Sequence, residues 1–434
     1  MHEVYTCDLF PNVRLRCVTT DKFKTGCLSV YLIGGLSRET AALTALLPRV
    51  LRRGCASYPD LERIAAALDD LYGARVEPSV RKKGELHSFG FYADFPDERY
   101  IPGEEGLLEK TAGMLGGVLL APDLHSGLLR ADYVESEKSN LIDDIRAAIN
   151  DKRGYSIDRL LEEMCAGEAF GVSRIGGEGE AEAITPAALT AHYRNLLSAS
   201  RVEIFYCGSA SPDRAGSAIS AAFSSLPARA DAPLPKTNVV LYPPGASPRR
   251  ITDSLDVTQG KLAVGFRLGR VMEDPDHPAF MVLNALYGGS AASKLFLNVR
   301  ERLSLCYYVN SMIEKHKGLM VVSSGVEFSN FGTALDEILA QLSLVKSGEV
   351  SDSELTSAKR YVVTAIKTAL DSPGGLDELY FDSAVSAAPF DPAGLCEKVE
   401  AVDLDRVVKA ASGIEPDTIY FLDRRLAWRL ESTL

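Results

Sequence analysis

Leu28-Ser-Val-Tyr-Leu-Ile-Gly-Gly35 is matched 234 residues later by Leu262-Ala-Val-Gly-Phe-Arg-Leu-Gly269. Each is a short apolar run closing on glycine, the pattern of a buried strand entering a turn. The agreement extends outward. At the same spacing a helical stretch over 41–53 closes at Gly54, and another over 278–287 closes at Gly288. Farther on, Ile184-Thr-Pro-Ala-Ala-Leu followed by Val202-Glu-Ile-Phe-Tyr-Cys recurs as Val402-Asp-Leu-Asp followed by Thr418-Ile-Tyr-Phe-Leu, now about 216 residues apart. Self-similarity at a near-constant spacing signals a duplicated structural unit. The shortened spacing predicts extra residues in the first copy, around 97–105 or 167–182.

Between the copies lie Leu226-Pro-Ala-Arg-Ala-Asp-Ala-Pro-Leu-Pro235 and Tyr242-Pro-Pro-Gly-Ala-Ser-Pro248. Proline fixes its own φ and restricts the residue before it, so such stretches favour an extended connector over helix or sheet. The predicted division is an N-terminal domain over 1–228, a connector over 229–248 and a C-terminal domain over 249–434. Strand-like runs interrupted by long helices point to the α+β class: two homologous α/β-sandwich domains with antiparallel-rich sheets packed against helices. Ser351-Asp-Ser-Glu354 has the form of a capping box, and Leu355, Val362, Ile366 and Leu370 follow on one helical face.

A chain of 434 residues exceeds one ordinary core and accommodates two domains of roughly 200 residues. With 46% apolar and 24% charged residues the composition is that of a globular protein. A net charge of -12 argues against nucleic acid, whose phosphates demand clustered Lys and Arg. The eight cysteines form no CxxC pair and are too scattered for a disulfide framework, so a cytoplasmic location is expected. The opening Met1-His-Glu-Val-Tyr-Thr-Cys-Asp-Leu-Phe lacks the basic-then-apolar form of a signal peptide. No run of eighteen apolar residues exists, so no membrane span is expected. A Gly-x-Ser-x-Gly elbow, a Walker loop and Gly-x-Gly-x-x-Gly are all absent, and Gly176-Gly-Glu-Gly179 reads as a flexible acidic loop.

The stretch with the most chemistry is Asn298-Val-Arg300-Glu-Arg-Leu-Ser-Leu-Cys-Tyr307-Tyr308-Val309. A helix ending in arginine and running into an apolar strand that opens with tyrosine puts two polar heads at one junction. There a guanidinium and a phenol can both donate to one peptide carbonyl. Upstream, Leu286-Tyr-Gly288-Gly289-Ser290-Ala-Ala-Ser-Lys294-Leu295-Phe296 reads as the end of a buried helix, a glycine break and a new helix start.

This order of elements resembles the insulinase/pitrilysin family of inverted-zincin metallopeptidases, over nearly the whole chain. The resemblance implies two similar domains closing like a clam shell around a peptide, which would lie extended along a sheet edge. It implies a substrate-binding and transition-state role for an Arg and a Tyr seven residues apart, positions held here by Arg300 and Tyr307, near the glycine break at Gly288 and Gly289. Active members of that family carry His-x-x-Glu-His on the helix preceding the first-domain glycine. Two imidazoles four residues apart share a helical face, and the glutamate reaches the metal-bound water. Anchored on Gly54, the motif falls on Ala45, Pro48 and Arg49. Alanine and arginine offer zinc no lone pair, and proline accepts no proton. The six histidines are far apart and read as surface or turn residues. The family's third ligand is a later glutamate, here Glu137 with Glu135 as the neighbouring option. Helical spacing does not choose between them, since both flank the stripe of Val134, Leu141, Ile142, Ile145 and Ile149.

The resemblance therefore implies the bacterial "inactive domain" type. Such a chain would be a peptide-binding partner subunit without catalysis or zinc of its own. It would pair with a zinc-bearing HxxEH sister, or form a homodimer when isolated, and contribute Arg300 and Tyr307 to a shared site. Two other readings stand beside it: a scaffold of the same fold with no proteolytic role, and a stand-alone peptidase with a non-standard site.

Overall fold

The computed structural model describes residues 3–227, 233–245, 247–386, 388–389 and 391–424. Residues 229–232 and Ala246 of the predicted connector lie outside that set. The chain begins with strands β1 (Glu3–Phe10), β2 (Val13–Thr19) and β3 (Thr25–Gly35), then helices α1 (Arg38–Leu51) and α2 (Leu61–Asp70). Strands β4 (Arg75–Lys83) and β5 (Leu86–Pro96) precede α3 (Leu107–Leu120) and a small hairpin, β6 (Leu124–His125) and β7 (Leu128–Leu129). Helices α4 (Ala131–Ala147), α5 (Lys152–Met164), α6 (Glu178–Glu182) and α7 (Pro186–Ala199) lead to β8 (Arg201–Gly208) and α8 (Pro212–Ala222). The second half opens with β9 (Arg249–Leu255), β10 (Gly260–Arg267) and α9 (His277–Asn284), followed by β11 (Cys306–Glu314) and β12 (Leu319–Val326). It closes with α10 (Phe331–Lys346), α11 (Asp352–Ala369), α12 (Pro373–Ser386), α13 (Pro392–Glu400), α14 (Leu404–Ser412) and β13 (Glu415–Arg424).

The first sheet has the order β1-β2-β8-β3-β5-β4, the second β11-β12-β10-β13-β9. Read from β2, the first sheet repeats the second strand for strand. The parallel pair β2–β8 matches the parallel pair β9–β13, and the other shared pairings are antiparallel in both. The segments that announced the repeat, 28–35 and 262–269, fall on β3 and β10, with β10 ending at Arg267, while 202–207 and 418–422 fall on β8 and β13. The fold is α+β, and it is duplicated. The capping box forms as expected: Ser351 Oγ accepts from the Glu354 amide, and Glu354 accepts the Ser351 amide at 2.8 Å. The glycine segment at 176–179 differs from its expected loop, because Gly177 caps the short helix α6.

Two compact units emerge. Unit 1 is built from the described residues of 1–146, 172–236 and 369–390, unit 2 from those of 147–171, 237–368 and 391–424. Each half lends one helix to the other's unit. In unit 1, α12 covers the sheet face that α1 and α3 leave bare. Its Leu376 packs with Val18, Cys27, Phe205 and Cys207, and its Phe381 meets Tyr31 edge-on at 4.9 Å. Buried Asp377 accepts from Arg81 at 2.6 Å and from Ser29, and Asp382 pairs with Lys83 at 2.9 Å. In unit 2, α5 does the same: Leu160 packs on Ala263, Tyr420 and Leu422. Arg267, almost fully buried, bridges Glu168 at 2.7 Å and Asp417 at 2.8 Å, and Lys317 reaches Glu168 at 2.7 Å. With helices on both faces, β3 and β10 need apolar residues on both, which is why neither shows the alternation of a half-exposed strand. No described helix is long and apolar enough to cross a membrane.

Candidate functional site

In unit 1 the positions of the absent zinc motif lie on α1. Ala and Leu fill its core face, Glu39 favours its first turn, and it runs through Pro48 to Leu51. The helix must stop close to a neighbouring segment. A Cβ at Gly54 would stand 2.5 Å from the Pro59 carbonyl oxygen, so only glycine fits. Ala45, Pro48 and Arg49 open onto a cavity of about 660 Å³ whose other walls include Glu77, Val80 and Glu137. The four positions that the sequence marked as a degenerate metal site are therefore gathered around one space.

The chemistry of that space is ionic. Arg49 pairs with Asp144 at 2.7 Å, and Arg53 pairs with Glu137 at 3.1 Å. Asn140 donates to the other Glu137 oxygen at 3.2 Å. Glu137 is largely buried, whereas Glu135 is exposed and pairs with Lys138 at 2.7 Å. The fold thus turns Glu137, not Glu135, toward α1, a choice the helical stripe left open. The residues do not fit zinc. A methyl group, a pyrrolidine ring and an ion-paired guanidinium supply no donors, and the one carboxylate is engaged by Arg53 and Asn140. Among the described residues no three metal-ligating side chains converge.

His125 is exposed beside the turn at 126–127 and His316 lies in the turn at 315–318, as expected, but His87, His277 and His316 are buried rather than on the surface. His192 meets α1 at Thr44, 2.8 Å away, one residue before the first motif position. Burial holds His87, His192 and His277 down at about 4, so all three are neutral at physiological pH.

In unit 2 the equivalent junction is irregular. Helix α9 passes into a π-helical turn, Ala285–Gly289, and a second π-helical segment covers Leu295–Arg302. Such wide turns are rare and are frequent at functional sites. Ser304 follows in the left-handed region at φ 50°, where a side chain is strained. The register then slips between Cys306 and Tyr308, so Tyr307 is the extra residue of a β-bulge at the start of β11. Gly288 is required here, since a Cβ would lie 2.8 Å from the Ser311 amide nitrogen on β11.

Arg300 and Tyr307 both emerge at this junction. The Arg300 side chain is partly exposed, sits 4.7 Å over the Phe296 ring and has Nε 3.6 Å from Glu301. Tyr307 is 64% exposed, and its hydroxyl donates to Glu327 at 2.7 Å. That bond raises the phenol above its ordinary pKa and keeps it protonated. Cys306 beside it is buried, as a core thiol. The sequence reading did not include Glu327 or Arg153. Arg153 comes from α5, stacks 4.5 Å over the Tyr308 ring and donates to Asn310 at 2.6 Å. Neither residue is near the motif in sequence, and no local pattern marks them.

Residues 183–362 match the family model described as "Peptidase M16 inactive domain". A Bacillus subtilis (strain 168) protein named "Probable inactive metalloprotease YmfF" is 33% identical over 405 residues, 93% of this chain and 94% of that one. A conserved protein from Enterococcus faecalis V583 has a solved structure similar to this one, with a TM-score of 0.87 at 24% identity, covering 97% of this chain and 99% of its own. A peptidase M16 inactive domain from Pseudomonas fluorescens gives 0.80 at 16% identity, covering 98% and 99%. The two structural likenesses establish the fold.

Proposed function

Because the chain belongs to the M16 peptidase family, and to its inactive type, we propose that it is the non-catalytic, peptide-binding subunit of a two-chain metalloendopeptidase. A sister chain bearing HxxEH would supply zinc and base, and this chain would supply Arg300 and Tyr307. One observation supports the reading: in unit 1 Ala45 and Pro48 offer no donor and Arg49 and Glu137 are held in ion pairs, while Arg300 and Tyr307 in unit 2 stay accessible on a strained, π-helical junction. The chemistry asked of them is modest. A guanidinium holds a peptide carbonyl in place, and a phenol donates to its oxygen as negative charge develops, which stabilises the transition state more than the ground state. Tyr307 must first exchange its bond to Glu327 for one to the peptide, so Glu327 positions the phenol in the resting chain.

The test is reconstitution. The isolated chain should cleave no unstructured peptide, and mixing with an HxxEH-bearing sister should produce cleavage. Arg300→Ala or Tyr307→Phe should lower kcat by about 10²–10³, the usual cost of removing one oxyanion donor, while leaving association intact. A scaffold of the same fold is the second reading, favoured by the Tyr307–Glu327 bond, which already satisfies the phenol. It predicts that neither substitution alters any activity of the assembled pair. Chelator-sensitive cleavage by the chain alone would instead support a stand-alone peptidase.

A further inference from the structure

Helix α5 covers only part of its face of the second sheet. Its Leu160 packs on Ala263, Tyr420 and Leu422, while its first turn brings Arg153 over the Tyr308 ring of β11, 4.5 Å from the ring centre. Lys261, on β10, stands 5.7 Å from the same ring centre. Alternation along the strands gives the reason: Val309 and Leu262 point into the main core of unit 2, so their neighbours Tyr308 and Lys261 emerge on the face toward α5. Two cations thus share one aromatic ring. Neither has a carboxylate in contact. Arg153 donates to Asn310 Oδ1 and Lys261 to Gln259 Oε1, each at 2.6 Å, and both acceptors are neutral. Asp151, the acid that faces this corner, spends its side chain capping α5 through the Arg153 and Gly154 amides. In a chain with 59 acidic against 47 basic residues that is unusual. Arg159, farther along the same helix, holds Glu162, Glu163 and Asp253. Burial first, and then the charge of Arg153, lower the pKa of Lys261, so the two cations repel each other in the resting chain.

We propose that Arg153 and Lys261 form a subsite for one carboxylate of a bound peptide, so that the chain selects acidic peptides. The charge balance favours a monoanion: two cations less Asp151 leave a single positive charge, which a carboxylate cancels and a phosphate dianion overshoots. The donors fit as well, because a guanidinium presents paired N–H groups to two carboxylate oxygens and an ammonium adds another. The carboxylate comes from an Asp or Glu side chain or from a peptide C-terminus. Tyr307 lies on the same strand, and at about 3.3 Å per residue Tyr308 and Asn310 are within roughly 10 Å of it along β11. One peptide can therefore engage both. The overall charge of -12 repels an acidic peptide at long range, so a preference for acid has to come from a local site. The inference rests on the reading of the chain as a peptide-binding subunit and adds the class of peptide.

The experiment uses the full chain without a sister subunit and four 12-residue peptides of alternating Ser and Val, each with fluorescein at its N-terminus. Three have an amidated C-terminus and carry Asp, Asn or Lys at position 6; the fourth carries Asn and a free C-terminal carboxylate. By fluorescence anisotropy the Asp peptide, the free-acid peptide or both should bind about tenfold tighter than the amidated Asn peptide. A gain confined to the Asp peptide assigns the subsite to a side chain, and one confined to the free acid assigns it to a C-terminus. In R153M/K261M the acid preference should fall below twofold while the amidated Asn peptide keeps its affinity. R153M alone, at the exposed start of α5, should show an intermediate loss with an unchanged thermal midpoint. K409M removes one exposed charge elsewhere in unit 2 and should keep the full preference. Equal affinity for all four peptides, preference for Lys, an acid preference that survives R153M/K261M, or an equal loss in K409M would overturn the proposal and leave peptide binding standing. No binding of any peptide would overturn both. Acid preference without cleavage by a reconstituted pair would sink the two-chain reading alone.

Discussion

The junction after α1 in unit 1 and the junction after α9 in unit 2 descend from one repeated plan, yet they have opposite characters. In unit 1 the helix stays α-helical through Pro48, stops at Leu51, and spends its arginines inside the unit: Arg49 on Asp144, Arg52 on the Val76 carbonyl, Arg53 on Glu137. In unit 2 the helix widens into π turns, the chain passes Ser304 at positive φ, and Arg300 and Tyr307 face outward. Where the polar groups are consumed by the fold, the site has become architecture. Where strain and exposure persist in a region with no need of them for packing, the physical case for a function is stronger. Both junctions rest on the same scaffold, so the contrast cannot come from the fold and must come from the side chains.

The largest effects should appear where the two units are alike. Arg81→Met would leave Asp377 buried without its cation, and Arg267→Met would do the same to Asp417. Each should cost about 3–5 kcal/mol in urea unfolding. A much smaller loss for one would show that its crossing helix, α12 or α5, is held by apolar packing alone.

Acid should separate the units. His87 and His192 in unit 1 and His277 in unit 2 sit near 4 in the folded chain, below the ordinary 6.5. Between those values the unfolded chain binds more protons, so stability is full above pH 6.5 and falls as the pH drops toward 4. With two such groups against one, unit 1 should lose up to about 2.7 kcal/mol per pH unit and unit 2 about half that. Hydrogen exchange at pH 7 and pH 5.5 reads the two separately, and equal slopes would contradict the assignment.

Next come the equivalent glycines. Gly54→Ala and Gly288→Ala both drive a methyl into backbone, and each should cost about 1–3 kcal/mol in thermal unfolding. The smallest effect belongs to Tyr307→Phe. An exposed phenol bonded to one carboxylate should leave the thermal midpoint essentially unchanged, so its loss of activity in a reconstituted pair would not be a folding defect.

Much of this was legible in the chain itself. The repeat at 28–35 and 262–269 located the central strands because buried strands must be apolar whatever their partners. Gly54 and Gly288 marked helix ends because close backbone approach admits nothing larger. The crossing of α5 and α12 was not legible, since an amphipathic helix records that it has an apolar face but not which sheet covers it. Glu137 could not be separated from Glu135 because both flank one stripe, and the direction of Arg53 decided between them. The bond from Tyr307 to Glu327 joins residues on different strands of a bulged pair, a relation fixed by register and silent in local pattern.

Whether the purified chain holds zinc decides between a borrowed metal and a resident one. After incubation with equimolar zinc and gel filtration, atomic emission should find far less than one zinc per chain, and no peptide should be cleaved. One tightly held zinc per chain, removed by chelator together with hydrolytic activity, would contradict the borrowed-metal reading.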